Sequence, residues 1–205
     1  MDRKFPTLRL ASLESDRALH RVTQSMAGLL ENEYPLFRIA ASPDIDAISP
    51  SHQTVEKALL RQALNELGYD SEAYKVYPPR DRHRSFGGGD DEGPHLDYSS
   101  VYTGRVGTSM SLRRHVGAVA AADVTMRHAK FTESERNGKV VSIFEFSRSA
   151  PIYRVRQRPG DRLVFVSAGG DINGHSIKPA FHEFVTLGSK RKANIIDFEF
   201  RPKPE

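Results

Sequence analysis

The chain has no cysteine among its 205 residues. That absence excludes disulfides, thiolate nucleophiles, cysteine-ligated zinc and iron–sulfur clusters together. Any metal must then be held by His, Asp or Glu. The sequence also lacks any apolar run near the roughly 20 residues that cross a bilayer, and residues 1–16, MDRKFPTLRLASLESD, carry charge where a secretory signal would carry an apolar core. A soluble, cytoplasmic protein with no membrane partner is the expectation. A strong charge of one sign is missing too: 30 Lys and Arg against 26 Asp and Glu leave +4, which can attract anions but does not mark a nucleic-acid binder. There is no internal repeat and no G-x-S-x-G nucleophile turn, and the GGG at 87–89 opens no helix that could cradle a phosphate.

What is present describes an ordinary globular chain, with 38% hydrophobic and 27% charged residues. One domain over residues 1–205 is expected, divided into supporting helices at 1–70 and a strand-rich core at 71–205. From Ser12, a candidate N-cap, Leu19, Val22, Met26 and Leu29 recur at helical spacing, and Pro35 lies past the end. A second helix follows Pro50 and Ser51, with Val55, Leu59, Ala63 and Leu67 on one stripe and Gly68 at its left-handed cap.

Beyond Gly68 the period changes. AYKVY, VGAVAAADVTM, KVVSIFEFS, IYRVRQ, RLVFVSA, FHEFVTL and NIIDFEF read as strands, whereas PPRDRHRSFGGGDDEGP and YSSVYTGRVGTSMSLRRH read as irregular. RPGD at Arg158–Asp161 has the chemistry of a tight turn, so the strands on either side are expected to form a hairpin. Strands joined by turns rather than helices predict antiparallel packing closed as a barrel or jelly roll.

Within this scaffold GPHLDYSS sets His95 and Asp97 two apart. In an extended segment that spacing puts an imidazole and a carboxylate on one face. Alone the pair means little, because 8 His and 26 acids in 205 residues give about one His-x-acid by chance. A third ligand would come from a late strand, where FHEFVTL places His182. Two imidazoles and one carboxylate on one face of an octahedral ion leave three positions open, the facial triad of non-haem Fe(II) oxygenases. His175 competes for the third place but sits between turn residues. His115 and His128 read as surface or satisfied structural histidines, and His20, His52 and His83 have no partner in view.

The order His95-Leu96-Asp97, then His182, then the basic pair Arg191-Lys192, with RPGDRLVFVSA before the distal histidine and NIIDFEFRP at the end, resembles the 2-oxoglutarate-dependent Fe(II) oxygenase superfamily. The resemblance covers residues 93–201 loosely. It implies a mainly β fold, a double-stranded β-helix (a jelly-roll or cupin-like barrel) supported by two N-terminal helices. It also implies Fe(II) on His95, Asp97 and His182, with 2-oxoglutarate and O2 as cosubstrates, succinate and CO2 as products, and oxidation of an unactivated C–H bond of a small molecule as the activity. The basic residue would hold the far carboxylate of 2-oxoglutarate. Alternation along the last strand groups Ile196, Phe198 and Phe200 inward with Asn194 and Lys192, whereas Arg191 offers a bidentate fork, so both remain candidates.

Arg80, Arg82 and Arg84 before the motif, and Arg105, Arg113 and Arg114 after it, fall in segments expected to rim the barrel mouth and to draw in an anionic substrate. Two other readings stand beside the oxygenase. One is a cupin-like module that binds a metal or small ligand without redox chemistry, and the other is a basic adaptor or nucleic-acid-binding protein in which His95 and His182 are structural.

Overall fold

A computed structural model of the protein describes residues 4–40, 49–77, 84–85, 105–112, 121–128, 130–145, 150–158, 161–166, 170–172, 175–187, 190–191 and 193–202. Its elements run β1 (Thr7–Arg9), α1 (Asp16–Leu30), β2 (Leu36–Ala40), α2 (Pro50–Glu66), β3 (Tyr69–Tyr77), β4 (Arg84–Ser85), β5 (Arg105–Leu112), β6 (Ala121–His128), β7 (Lys130–Arg136), β8 (Lys139–Glu145), β9 (Tyr153–Gln157), β10 (Arg162–Phe165), β11 (Gly170–Ile172), β12 (His175–Ile177), β13 (Ala180–Leu187), β14 (Lys190–Arg191) and β15 (Ala193–Pro202). The fold is thus mixed helix and strand, and neither helix is long and apolar enough to cross a membrane.

Helix α1 begins later than its first serine suggests. Ser12 Oγ accepts from the Glu14 N–H in the lead-in, while Ser15 is the N-cap, its Oγ accepting from the Ala18 N–H at 3.1 Å. The shift follows from packing, because Leu13 is itself buried and the buried face of the helix starts at Ala18. Helix α2 matches expectation. Ser49 Oγ accepts from the His52 N–H, Pro50 opens the first turn, and Gly68 follows the C-cap at φ +87°, a left-handed conformation that glycine adopts without strain.

Six strands form the larger sheet in the order β1-β2-β10-β5-β15-β3, antiparallel except where β1 meets β2. Val22, Met26 and Leu29 of α1 and Leu59, Leu60 and Leu64 of α2 pack against Phe37, Ile39, Val164 and Val166 on one side of it. On the other side Leu36, Leu163 and Phe165 pack against Met126, Tyr153, Val155 and Ala180, which belong to or open a three-stranded sheet ordered β13-β6-β9. The layers are therefore helices, large sheet, small sheet. Strand β10 is buried along its whole length because its neighbouring residues alternate between the two cores, each large side chain contributing about 1.5–3 kcal/mol of burial.

Three expectations are corrected here. IYRVRQ and RLVFVSA do not pair as a hairpin: β9 pairs with β6, and β10 with β2 and β5. The turn chemistry is nevertheless present, since the Asp161 N–H donates to the Arg158 carbonyl at 3.0 Å and Asp161 Oδ2 accepts from the Arg158 N–H at 3.1 Å. It carries the chain from one sheet to the other. The segment read as irregular contains β5, an interior strand of the large sheet between β10 and β15. Its Gly and Ser residues carry little strand signal, but a neighbour on each side supplies the backbone pairing. Finally, the described strands form separate sheets and hairpins rather than a closed barrel.

Candidate metal-binding site around His182

His182 lies on β13, where Phe181 and Glu183 are partly exposed and Ala180 and His182 are buried. The alternation is that of a strand with one face toward a core. His182 is 2% exposed. It stands opposite Met126 of β6, which stands opposite Tyr153 of β9, and across the intersheet space its ring meets that of Phe165, with centroids 5.0 Å apart and planes tilted by 59°.

The ring is oriented by its own strand. Nδ1 lies 2.9 Å from the Ala180 carbonyl oxygen. A carbonyl only accepts, so the bond requires a proton on Nδ1 and, in the neutral ring, leaves the lone pair on Nε2. A backbone acceptor that fixes the tautomer in this way is the usual second partner of a metal-ligating histidine. The Ala180 peptide is itself held, its N–H donating to the Val166 carbonyl at 2.7 Å just after β10.

His95 and Asp97 lie outside the described residues, as do Lys192, Arg113 and Arg114. Among the described residues no three His, Asp or Glu side chains gather as a metal-binding group. Arg105 opens β5 near Glu199, and Arg191 ends β14 opposite Arg84. Asn194 stands opposite Ser111, which stands opposite Arg162, whose guanidinium pairs with Glu56 of α2 on the helix-covered face. Strand β15 begins at Ala193, and Lys190–Arg191 form a separate strand. Parity counted back from Ile196 therefore reaches no further than Ala193.

Of the other histidines, His83 and His115 lie outside the described residues. His20 and His52 sit on helices, and His175 opens β12 opposite Ile172. His128 stands opposite Ala180 but is not the satisfied structural residue expected of it. It is half-buried, and neither ring nitrogen has a hydrogen-bond partner. Burial, and then the Lys178 charge, lower its pKa from the usual 6.5; backbone groups of Asn32, Lys178 and Pro179 oppose the shift without reaching hydrogen-bond geometry.

Sequence reasoning named His182 but not its surroundings. Phe165 and Met126 appear in the sequence only as strand residues, and nothing local marks them as neighbours of a histidine. Asn32 was also passed over, although an Asn just past a helical stripe is a signal for a left-handed C-terminal cap.

No family model matches the chain, and the comparison with curated proteins found no match. Among solved structures it is weakly similar to the iron and alpha-ketoglutarate-dependent endoperoxidase NvfI, at 12% identity over 83% of this chain and 80% of that one, with a TM-score of 0.39. It is also weakly similar to PvcB from Pseudomonas aeruginosa, at 10% identity over 95% and 85% of the two chains, with a TM-score of 0.37.

Proposed function

We propose that the protein is an Fe(II)- and 2-oxoglutarate-dependent dioxygenase acting on a small, anionic molecule, with residues 71–205 forming a jelly-roll core supported by the N-terminal helices. The observation that carries this reading is the His182 ring. The residue that the motif order selects as the distal ligand is buried between two sheets, with Nδ1 on a backbone carbonyl and the lone pair directed to Nε2. An imidazole in that tautomer suits a first-row metal ion, so the donor chemistry fits the implied iron.

In this reading His95, Asp97 and His182 hold the metal, and Lys192 or Arg191 pairs with the far carboxylate of 2-oxoglutarate; Asn194, in register with residues of the helix-covered face, takes no part. Bound iron, with 2-oxoglutarate and O2, supplies oxidative decarboxylation to succinate and CO2 coupled to oxidation of a substrate C–H bond. The chain's own part is to bind, orient and exclude water. Phe165 walls the imidazole on the large-sheet side, and the apolar cluster of Leu36, Leu163, Met126 and Val155 keeps the space between the sheets dry. Arg105, Arg113 and Arg114 attract and align an anionic substrate.

The test is binding of Fe(II) with 2-oxoglutarate under anaerobic conditions, followed by succinate formation on admitting O2, in the native chain and in His182→Ala. The native chain is expected to show the charge-transfer band of the ternary complex. The variant is expected to lose it, with metal affinity down by about 10–100-fold or more. A native chain with neither band nor succinate overturns the proposal, and metal binding without oxygen consumption would turn it toward the cupin-like binding module.

A further inference from the structure

We infer that Asn32, in the turn between α1 and β2, is a positioning residue for His182; the inference rests on the reading of His182 as a metal ligand. Asn32 adopts φ +61°, the left-handed conformation that Asn tolerates better than most residues. The chain turns there to bring the side chain against a segment 144 residues away. Its amide makes two bonds to that segment. Nδ2 donates to the Ser176 carbonyl at 2.8 Å, and Oδ1 accepts from the Lys178 N–H at 2.7 Å. The pair engages the backbone as a neighbouring strand would, across the end of β12 and before β13 begins.

Between the two bonds Ile177 is 2% exposed and packs into the helix-side core. Three residues on, the Ala180 N–H is fixed by Val166, and the Ala180 carbonyl takes His182 Nδ1. The path from Asn32 to the imidazole thus runs through the bonded backbone of Lys178 and Ala180, with Pro179 between them. The same turn is tied to the rest of the molecule. Tyr153 Oη donates to the Glu33 carbonyl at 3.3 Å, and Tyr34 Oη donates to the Ser25 carbonyl at 2.8 Å. Burial, with smaller contributions from Glu33 and Glu31, pushes the Tyr34 phenol up to about 12 despite that bond, so it remains a donor throughout the working pH range. One turn therefore references the approach to β13 to α1 and to β9, on either side of the large sheet. Without the amide, Ser176 and Lys178 would still meet water, but the segment would lose its fixed register against α1, and the Ala180 carbonyl would no longer hold the imidazole in one orientation.

Asn32→Gly suits the positive φ and removes both bonds. Ser15→Ala removes the cap at the other end of the same helix and serves as the stability control. In metal-free protein, the long-range 1H–15N correlations of His182, assigned with His182→Asn, should show a single Nδ1–H tautomer in the native chain and in Ser15→Ala. Asn32→Gly should show averaged nitrogens and bind Co(II) about tenfold more weakly or worse. The inference is overturned if Asn32→Gly keeps the tautomer and binds Co(II) within twofold of the native chain, or if Ser15→Ala produces the same changes. If the native chain binds no Co(II), the oxygenase reading falls, while the tautomer comparison still decides the role of Asn32. Should Asn32→Gly not fold, Asn32→Asp, which keeps the acceptor for Lys178 and loses the donor to Ser176, gives the same readout.

Discussion

Substituting Glu56 probes how the helices are held to the sheet. Arg162 Nη2 lies 2.7 Å from Glu56 Oε2, with the two side chains 3% and 2% exposed. The geometry is that of a close ion pair rather than a directed hydrogen bond, because the N–H does not point along the contact. At an effective dielectric of about 20, unit charges 2.7 Å apart attract by roughly 6 kcal/mol. Desolvating the two groups takes back much of that, so the pair adds little net stability compared with an apolar pair. Removing one partner is different, since the other charge stays buried and loses its close counter-charge, at a cost of about 3–5 kcal/mol. Against a typical total of about 5–15 kcal/mol, Glu56→Gln should lower the urea midpoint sharply and the melting temperature by about 6–20 °C. The double variant Glu56→Leu with Arg162→Met should recover most of the loss, because neither charge then remains. A loss below about 1 kcal/mol for Glu56→Gln would refute the reasoning, since such a value belongs to a solvated pair.

Two further predictions concern the neighbourhood of Asn32. A Cβ on Gly28 would meet Tyr34 Oη at 2.5 Å, Tyr34 Cζ at 2.7 Å and Glu33 Oε2 at 2.8 Å. Gly28→Ala should therefore destabilise by about 1–3 kcal/mol in chemical denaturation, despite a helix-propensity gain of about 1 kcal/mol; a more stable variant would show that Tyr34 moves freely. His128, whose folded pKa lies below the usual 6.5, binds a proton more readily when unfolded. Its contribution to stability is thus complete above about pH 6.5 and declines as pH falls through the folded pKa. Thermal unfolding between pH 7 and 5 should be less acid-sensitive in His128→Gln than in the native chain, and parallel profiles would refute the assignment.

Local pattern was legible in several elements where one face meets a core, though not in β2 or β12. The apolar stripes of α1 and α2, the cap at Gly68 and the alternating strands β9 and β13 are written in residue periodicity, because burial on one side selects it. His182 is selected on other grounds, by its place on a late strand between His95-Leu96-Asp97 and the basic pair Arg191-Lys192. Some signals were present and unused. Asn137 and Gly138, at φ +54° and +71° between β7 and β8, are the tight hairpin turn that Asn-Gly favours.

Other features had no local signal. The turn at Arg158–Asp161 looks the same whether the chain folds back on itself or crosses to another sheet. The crossing was decided by the partners that β9 and β10 find, β6 for one and β2 and β5 for the other. The Ser- and Gly-rich β5 is a strand because it has a neighbour on each side. Which residues face the His182 ring, and that Asn32 reaches Ser176 and Lys178, follow from contacts between segments far apart in the chain. Residue chemistry and periodicity by themselves determined the two helices, seven of the fifteen described strands and the candidate distal ligand. The pairing of strands into two sheets, and the surroundings that make one histidine a plausible ligand and leave another without a hydrogen-bond partner, were decided only by tertiary structure, because hydrogen bonding and burial depend on neighbours that the local sequence does not specify.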